Sequence, residues 1–222
     1  MVKSVLLVGA SGLVGQGVFR SLRRSAGIGE IVLLVRRPIA IADDRVRVLQ
    51  VDAFSGDNLN KFDLSGLAAC VHCAGPLPLG MSARAYREAT VELTRCVATA
   101  YAAANPHGRL IYVSGMGADA RSRLAPFKIK GEAELMLRGL GIPSTSLRPG
   151  VIRPVQGEIS PHRFRRFAYR LGDPLLALGC AICPSVFTTT RAVGEAVAQL
   201  VLATSPPHFL GNAAINSMDS AD

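Results

Sequence analysis

Short apolar runs recur through the first 150 residues, and each is bounded by glycine or polar residues and too short for a helix. They predict six buried strands, at residues 5–8, 31–35, 46–51, 69–73, 110–114 and 144–148. Between them, apolar residues spaced three or four apart predict a helix after the first strand and helices at residues 82–104 and 127–138. Strands alternating with helices favour right-handed crossovers, so we predict an α/β fold with a doubly wound parallel sheet.

The first predicted strand ends in a glycine triplet, Gly9-x-x-Gly12-x-x-Gly15, and a helix follows. Glycines permit a tight turn and let a pyrophosphate approach the backbone, and the helix N-terminus offers unpaired N–H groups to phosphate. An ordinary glycine turn is the alternative, since the usual fingerprint is G-x-G-x-x-G. The strand-turn-helix context favours a dinucleotide site. The residues predicted to contact the cofactor here are Gly9, Ser11, Gly12, Leu13, Val14 and Gly15.

Glycine, proline or a polar side chain follows every predicted strand of the first 150 residues. Ligands of parallel sheets bind outside the carboxyl ends of the strands. These punctuating residues are therefore predicted to line one ligand site, and they are Gly9, Arg36, Asp52, Gly75, Ser114 and Pro149. The predicted cofactor contacts also include the neighbouring Ala53, Cys73 and Ala74.

The strand-helix alternation weakens after residue 150. The pattern there predicts one or two short helices before about residue 187, a helix at about 191–203 and a last short strand at 213–216. No repeat or linker separates this region from the rest. We therefore predict a single domain over residues 1–222, with the cofactor core at 1–150 and a small substrate-side cap at 151–222.

The second predicted strand ends in Arg36-Arg37, where an NAD site usually has an acidic side chain for the ribose 2′-OH. A guanidinium suits a 2′-phosphate and stacks on adenine, and Ser11 is a further donor to that phosphate. Two solvated arginines are the alternative. The pattern favours NADP(H) over NAD(H). Asp52 either accepts from the adenine amino group or forms a turn.

Composition indicates a compact globular protein, because 49% of residues are hydrophobic and 18% are charged. No signal peptide is visible, and the longest later apolar run, residues 175–183, is far short of the ~20 residues that a membrane span needs. We therefore expect a soluble, cytoplasmic protein without a membrane span.

The five cysteines are an odd number, which fits reduced thiols better than a disulfide framework. They include two C-x-x-C pairs, at residues 70/73 and 180/183, and four thiols at this spacing suit zinc. Residues three apart in a strand point to opposite faces, however. Because residues 70 and 73 lie in a predicted strand, we favour small buried thiols and predict no metal site.

The net charge of +9 has a local source in the basic and aromatic stretch at residues 162–170. Such a stretch suits nucleic acid or an anionic membrane, but it also fits a helix with Phe164 and Phe167 facing the body and solvated arginines. No nucleic-acid motif accompanies the charge, so we do not expect nucleic acid as a partner. A small-molecule substrate or a regulatory protein is the expected partner.

Several stretches together resemble the atypical short-chain dehydrogenase/reductases, in the NAD(P)H-binding group that includes NmrA-like and Tat-interacting oxidoreductase-like proteins. They are VGASGLVG, VDAF, CAGP, YVSGMGAD, KGEAE and SLRPGVI. The resemblance implies an NAD(P)-binding Rossmann fold and a catalytic set of serine, tyrosine and a lysine four residues after the tyrosine. Ser114 matches the serine and Lys130 the lysine. By similarity, Lys130 binds the nicotinamide ribose, and Pro149, Gly150 and Val151 border the nicotinamide.

Pro126 stands four residues before Lys130, where the family has its tyrosine. In that set the phenol exchanges a proton while a hydride moves, and the ammonium lowers the phenol pKa. Losing acid–base help costs ~10²–10⁴ in rate, so hydride transfer can survive without it. Tyr112, two residues before Ser114 on the same strand face, is a substitute unless it is a core residue, and Tyr86 on the long helix is another.

Two functions fit these residues. The first is an NADP(H)-dependent oxidoreductase that reduces a small apolar carbonyl, enone or quinone through Ser114 and Lys130. The second is a non-catalytic NADP(H)-binding redox sensor or regulator, favoured by Pro126. A strand-end role for Ser114 and a plain surface role for Lys130 are the alternatives to catalysis. Nucleotide-sugar epimerisation is less favoured, since it also needs the tyrosine and the cap is short.

Overall fold

The computed structural model describes residues 2–159 and 163–219, and for residues 163–171 it describes the backbone alone. The interpretation of the basic stretch at residues 162–170 as a helix with buried aromatics therefore lies outside the described side chains.

The described residues form nine short strands. They are β1 (Lys3–Val8), β2 (Ile28–Val35), β3 (Val46–Gln50), β4 (Ala69–His72), β5 (Arg109–Val113), β6 (Ser144–Arg148), β7 (Val151–Arg153), β8 (Phe187–Thr189) and β9 (Phe209–Gly211). Seven of them form one sheet in the order β3-β2-β1-β4-β5-β6-β9, with every neighbouring pair parallel. The sheet grows outward from β1 in both directions, which confirms the predicted doubly wound α/β fold.

Helices cover both faces of this sheet. They are α1 (Leu13–Arg24), α2 (Gly56–Leu59), α3 (Ala83–Arg87), α4 (Leu93–Ala104), α5 (Ala125–Arg138), α6 (Arg163–Ile182), α7 (Thr190–Leu202) and α8 (Asn212–Ser217). A π-helical turn, Glu88–Glu92, joins α3 to α4, so the long helix predicted at residues 82–104 is confirmed with one irregular turn.

Alternation along the strands divides the core into two layers. Val5 and Leu7 of β1 face the layer that contains α1 and α7, whereas Leu6 and Val8 face the layer that contains α4 and α5. Strand residues buried on both faces are typical of a parallel sheet covered by helices. The register brings Val8 opposite His72, so β1 and β4 end level with one another.

Two predictions for the region after residue 150 are wrong. The apolar run at residues 213–216 belongs to α8, and the last strand is Phe209–Gly211, because a short apolar run fits either structure. One 20-residue helix, α6, replaces the one or two short helices that were predicted. Gly172 and Pro174 interrupt the helical pattern in the sequence, but the helical backbone continues through both residues. β7 and β8 pair as a separate two-stranded parallel sheet.

A close contact fixes α5 at the sheet edge. A Cβ on Gly131 would lie 2.1 Å from the Ala120 nitrogen and 2.3 Å from the Asp119 carbonyl carbon. The loop after β5 therefore packs directly on the backbone of α5. Only glycine permits this distance, and Gly131 directly follows Lys130.

We expect Gly131→Ala to destabilise the protein by ~1–3 kcal/mol through overpacking. Helix propensity alone predicts the opposite sign, because alanine is favoured over glycine by ~1 kcal/mol inside a helix. Gly172→Ala in α6 is the matched control, since its Cβ would meet no described atom within 4 Å. Urea unfolding measures both variants, and a Gly131→Ala protein as stable as the wild type would contradict the close contact.

Candidate functional site

The turn between β1 and α1 leaves a backbone cradle at the sheet edge. Gly9 has a φ of +89°, and a Cβ on Gly15 would lie 2.0 Å from the Gly9 carbonyl oxygen. The N-cap residue Gly12 provides no side-chain hydrogen bond, and no acidic residue occupies the first turn of α1. Since the first amides of a helix lack intrahelical acceptors, this turn suits an anion.

A cavity of about 360 Å³ adjoins the cradle. Val14, in the first turn of α1, lines it together with residues that follow β4, β5 and β6. Of the predicted cofactor contacts, the lining includes Val14, Cys73, Ala74, Gly75, Pro149 and Gly150. The predicted catalytic residues Ser114 and Lys130 line the same cavity. Of the six strand-end residues predicted to line one site, the structure brings Gly75, Ser114 and Pro149 to this cavity.

The other predicted cofactor contacts lie outside this lining. Gly9, Ser11, Gly12, Leu13 and Gly15 form the cradle itself. Arg36 follows β2, and Asp52 and Ala53 follow β3; all three are exposed at the carboxyl edge of the sheet. Val151 on β7 is exposed too. The Arg36 guanidinium carbon lies 5.8 Å from the centre of the Phe54 ring.

Ser114 presents an unpaired hydroxyl at the end of β5. The residue is 5% exposed, and its Oγ has no hydrogen-bond partner among the described residues. Its backbone is held instead, since the Ser114 N–H donates to the Leu147 carbonyl at 2.8 Å. A buried unpaired hydroxyl costs ~1–3 kcal/mol, so this one favours a ligand role over a strand-end cap.

Lys130 is not a solvated helix lysine. Its Nζ donates to the Ser114 carbonyl at 2.9 Å and lies 5.7 Å from the centre of the Tyr112 ring. Burial lowers the pKa of Lys130 to about 8, and the charge of Glu134 opposes that shift in part. The Lys130 ammonium therefore loses its proton more readily than that of a solvated lysine.

Glu134 is buried and forms an ion pair with the partly exposed Arg148, and sequence reasoning missed this pair. The 2%-exposed carboxylate accepts two hydrogen bonds from the Arg148 guanidinium, at 3.0 and 2.6 Å. The pair ties α5 to β6 one helical turn beyond Lys130. The only hint of this pair in the sequence is that Glu134 lies four positions after Lys130 within KGEAE. Such spacing does not indicate that the carboxylate is buried.

Asn212 was also missed, and it shapes the wall next to Pro149. Its Oδ1 accepts from the Gly150 N–H at 2.7 Å, while its Nδ2 donates to the carbonyls of Pro184 and Phe187. A Cβ on Gly150 would lie 1.9 Å from the Val186 carbonyl oxygen. The region after residue 150 is therefore fastened to the cavity by one side chain and one glycine.

The two candidate substitutes for the missing phenol, Tyr112 and Tyr86, belong to the same core layer, but they differ in whether they line the cavity. Tyr112 packs in the core layer of α4 and α5, does not line the cavity, and has its pKa raised by burial. Tyr86 of α3 and Pro126 of α5 both line the cavity. His72 was missed by the sequence, and both of its ring nitrogens are buried without a partner among the described residues. Burial lowers the pKa of His72 to about 4.

Two predicted absences concern the whole chain, and the structure bears only on its described part. None of the helices in that part is long and apolar enough to cross a membrane. Within residues 2–159 and 163–219, no group of three or more His, Cys, Asp or Glu side chains is arranged to hold a metal ion.

No protein-family model matches the chain. Among curated proteins, it is 28% identical over 135 residues to leucinostatins biosynthesis cluster protein T of Purpureocillium lilacinum. That match covers 59% of this chain and 49% of the other protein, so the chain matches about half the length of this relative.

Solved structures share the fold. A short-chain dehydrogenase from Burkholderia cenocepacia in complex with NADP superposes with a TM-score of 0.65 at 17% identity, over 95% of this chain and 88% of that chain. The enzyme WbmG of Bordetella bronchiseptica, in complex with NAD, gives a TM-score of 0.69 at 16% identity, over 98% and 76%. A short-chain dehydrogenase/reductase family oxidoreductase from Burkholderia thailandensis gives 0.65 at 19%, over 90% and 86%. At these identities the likeness shows the Rossmann-like fold.

We expect Lys130 to titrate with a midpoint near pH 8, because burial disfavours its charged form. The ammonium then persists below that pH and is lost above it. NMR of ¹³C-methylated lysines measures the midpoint, and Lys130→Arg identifies the resonance by removing it. A midpoint near the ordinary value of 10.5 would show that the amine is solvated.

Proposed function

We propose that this chain is an NADP(H)-dependent oxidoreductase of the short-chain dehydrogenase/reductase type that reduces a small apolar carbonyl, enone or quinone. One observation carries the proposal. Val14, in the uncapped first turn of α1, lines the same cavity as Ser114 and Lys130. A phosphate-binding turn and two polar catalytic side chains thus share one space at the carboxyl edge of the sheet.

The residues present fit a nicotinamide dinucleotide. The close contact between Gly15 and the Gly9 carbonyl brings the uncapped first turn of α1 against the end of β1, which suits the diphosphate. Lys130, Pro149 and Gly150 line one cavity, which supports the proposal that Lys130 would hold the nicotinamide ribose and that Pro149 and Gly150 would border the nicotinamide. Two of the solved structures with this fold contain NADP or NAD, which supports the same class of ligand for this chain.

Arg36 supports NADP(H) as the preferred form. It is exposed at the end of β2 and has no ion-pair partner among the described residues, while its guanidinium lies over the Phe54 ring. A free guanidinium at this position matches a 2′-phosphate, and its stacking restricts its orientation. Asp52 remains proposed as the acceptor for the adenine amino group.

The chemistry follows from the cavity walls. Bound NADPH supplies a hydride, and the unpaired Ser114 hydroxyl is free to donate to the oxygen of a carbonyl substrate. Of the described lining residues, Lys130 alone carries a formal charge, and the rest are mostly glycine, proline and aliphatic or aromatic side chains. Such walls favour a neutral apolar substrate over a carboxylate or phosphate.

A second function is favoured by Pro126. Its ring occupies the cavity wall four residues before Lys130, where it has no exchangeable proton to offer. A protein that binds NADP(H) there without turnover would act as a redox sensor, with its cofactor state altering a contact to a regulatory partner. The catalytic function is preferred because Ser114 remains unpaired in the cavity.

We expect Arg36→Ala to weaken NADPH binding ~10- to 100-fold, because a hydrogen bond to a charged group contributes ~1.5–3 kcal/mol. NADH binding changes little, since NADH lacks the 2′-phosphate. Arg95→Ala, which removes another half-exposed arginine from an ion pair with Glu92, is the charge-matched control. Emission of bound NADPH measures the Kd, and the absence of tryptophan keeps that signal clean. Equal losses for both cofactors would refute the role of Arg36.

We expect the wild type to oxidise NADPH with members of a panel of apolar ketones, enones and quinones. Ser114→Ala and Lys130→Ala each lose ~10²-fold or more in kcat/KM, as expected for groups that position the substrate oxygen and the cofactor. Absorbance at 340 nm follows the reaction. Saturable NADPH binding without consumption by any panel member would favour the regulatory function instead.

A further inference from the structure

A second residue that lines the cavity, Tyr86 of α3, has an unpaired hydroxyl. Tyr86 is 2% exposed and lines the cavity with Ser114 and Lys130. Its hydroxyl is buried without a hydrogen-bond partner among the described residues. The Thr90 hydroxyl lies close by, but the two do not meet in hydrogen-bonding geometry.

The helix that carries Tyr86 is fixed against the helix that carries Lys130. Arg87, the next residue, forms an ion pair with Glu132 of α5. Ser82 caps the start of α3, where its Oγ accepts from the Ala85 N–H at 3.2 Å. Tyr86 is therefore held from both sides, and its position does not depend on a flexible loop.

The π-helical turn begins two residues after Tyr86, at Glu88. A π-turn shifts the register of the side chains along a helix, and such turns are frequent at functional sites. Tyr86 belongs to the same core layer as α4 and also lines the cavity. Tyr101 of α4 lies in that layer too, but its hydroxyl is paired, because it donates to the Leu67 carbonyl at 2.8 Å.

We propose that Tyr86 is the proton donor of the reduction, in place of the phenol that Pro126 removes. This inference rests on the proposed oxidoreductase function. Ser114 and Tyr86 provide two unpaired hydroxyls to one cavity, which is what a developing alkoxide requires. Tyr112, the other phenol near Ser114, does not line the cavity.

The step balances with NADPH as the reductant. The carbonyl carbon gains a hydride with its electron pair from the reduced nicotinamide, and the π pair of the C=O bond moves onto oxygen. The O–H bond of Tyr86 breaks as its proton goes to that oxygen, while Ser114 donates a hydrogen bond to it. Water then reprotonates the phenolate after the alcohol leaves, with the Lys130 ammonium supplying positive charge in the same cavity.

The first experiment compares Tyr86→Phe, which removes only the hydroxyl, with Tyr101→Phe, which removes a phenol hydroxyl outside the cavity. We expect Tyr86→Phe to lower kcat ~10²–10⁴-fold with its NADPH Kd unchanged. Tyr101→Phe keeps its kcat. Wild-type kcat in Tyr86→Phe overturns the inference, and a loss confined to Tyr112→Phe assigns the proton to Tyr112 instead.

The second experiment examines the wild-type protein in a complex that cannot turn over. Protein with ¹³Cζ-labelled tyrosine has four such resonances, and Tyr86→Phe assigns one of them by its absence. With NADP⁺ bound, a ketone that the wild type reduces with NADPH has no hydride to receive. We expect it to shift the Tyr86 resonance, and an unmoved Tyr86 resonance overturns the inference.

The failure of the inference is distinct from the failure of the proposed function. If the wild type and Tyr86→Phe both reduce carbonyls, only the role of Tyr86 is refuted. If the wild type binds NADPH but reduces no carbonyl, both the reductase function and the proton-donor role of Tyr86 are refuted.

Discussion

The approach of α1 to the end of β1 is the constraint on which the site depends. A Cβ on Gly15 would lie 2.0 Å from the Gly9 carbonyl oxygen, so the helix starts against the strand only because that position is glycine. This contact leaves the first-turn amides of α1 uncapped at the sheet edge. Val14 then reaches the wall of the cavity. A larger residue at position 15 would move the helix, and the cradle and the cavity would separate.

Burial gives the polar groups at this edge their chemistry. Burial disfavours the charged form of Lys130 and lowers its pKa to about 8. The negative charge of the neighbouring Glu134 opposes this shift and keeps it from being larger. Glu134 in turn pairs with Arg148 behind the wall, so Lys130 is the one charged residue among the described residues that line the cavity. In a cavity with mostly apolar walls, an unpaired hydroxyl such as that of Ser114 interacts more strongly with a substrate oxygen than it would in water.

The sequence predicted the sheet well because buried parallel strands are continuous apolar runs, and glycine or polar residues mark their ends. It predicted the strand-end residues of the cavity for the same reason, since topology places those ends together. The sequence-based prediction was wrong at residues 213–216, because four residues are too few to show a helical or strand period. It was also wrong at α6, because a proline such as Pro174 usually ends a helix but here lies inside one. Tyr86 lines the cavity because of tertiary packing next to a π-helical turn. Neither feature can be recognised from the spacing of residues in the sequence.

Backbone hydrogen exchange in the presence of NADPH tests the central claim most directly, because it reports on the cradle whether or not the protein turns over a substrate. A diphosphate at the start of α1 accepts hydrogen bonds from amides that otherwise have no partner, and it therefore slows their exchange. Saturating NADPH is predicted to protect the amides of Leu13, Val14 and Gly15 severalfold. Unchanged exchange at these three amides under millimolar NADPH would contradict the account.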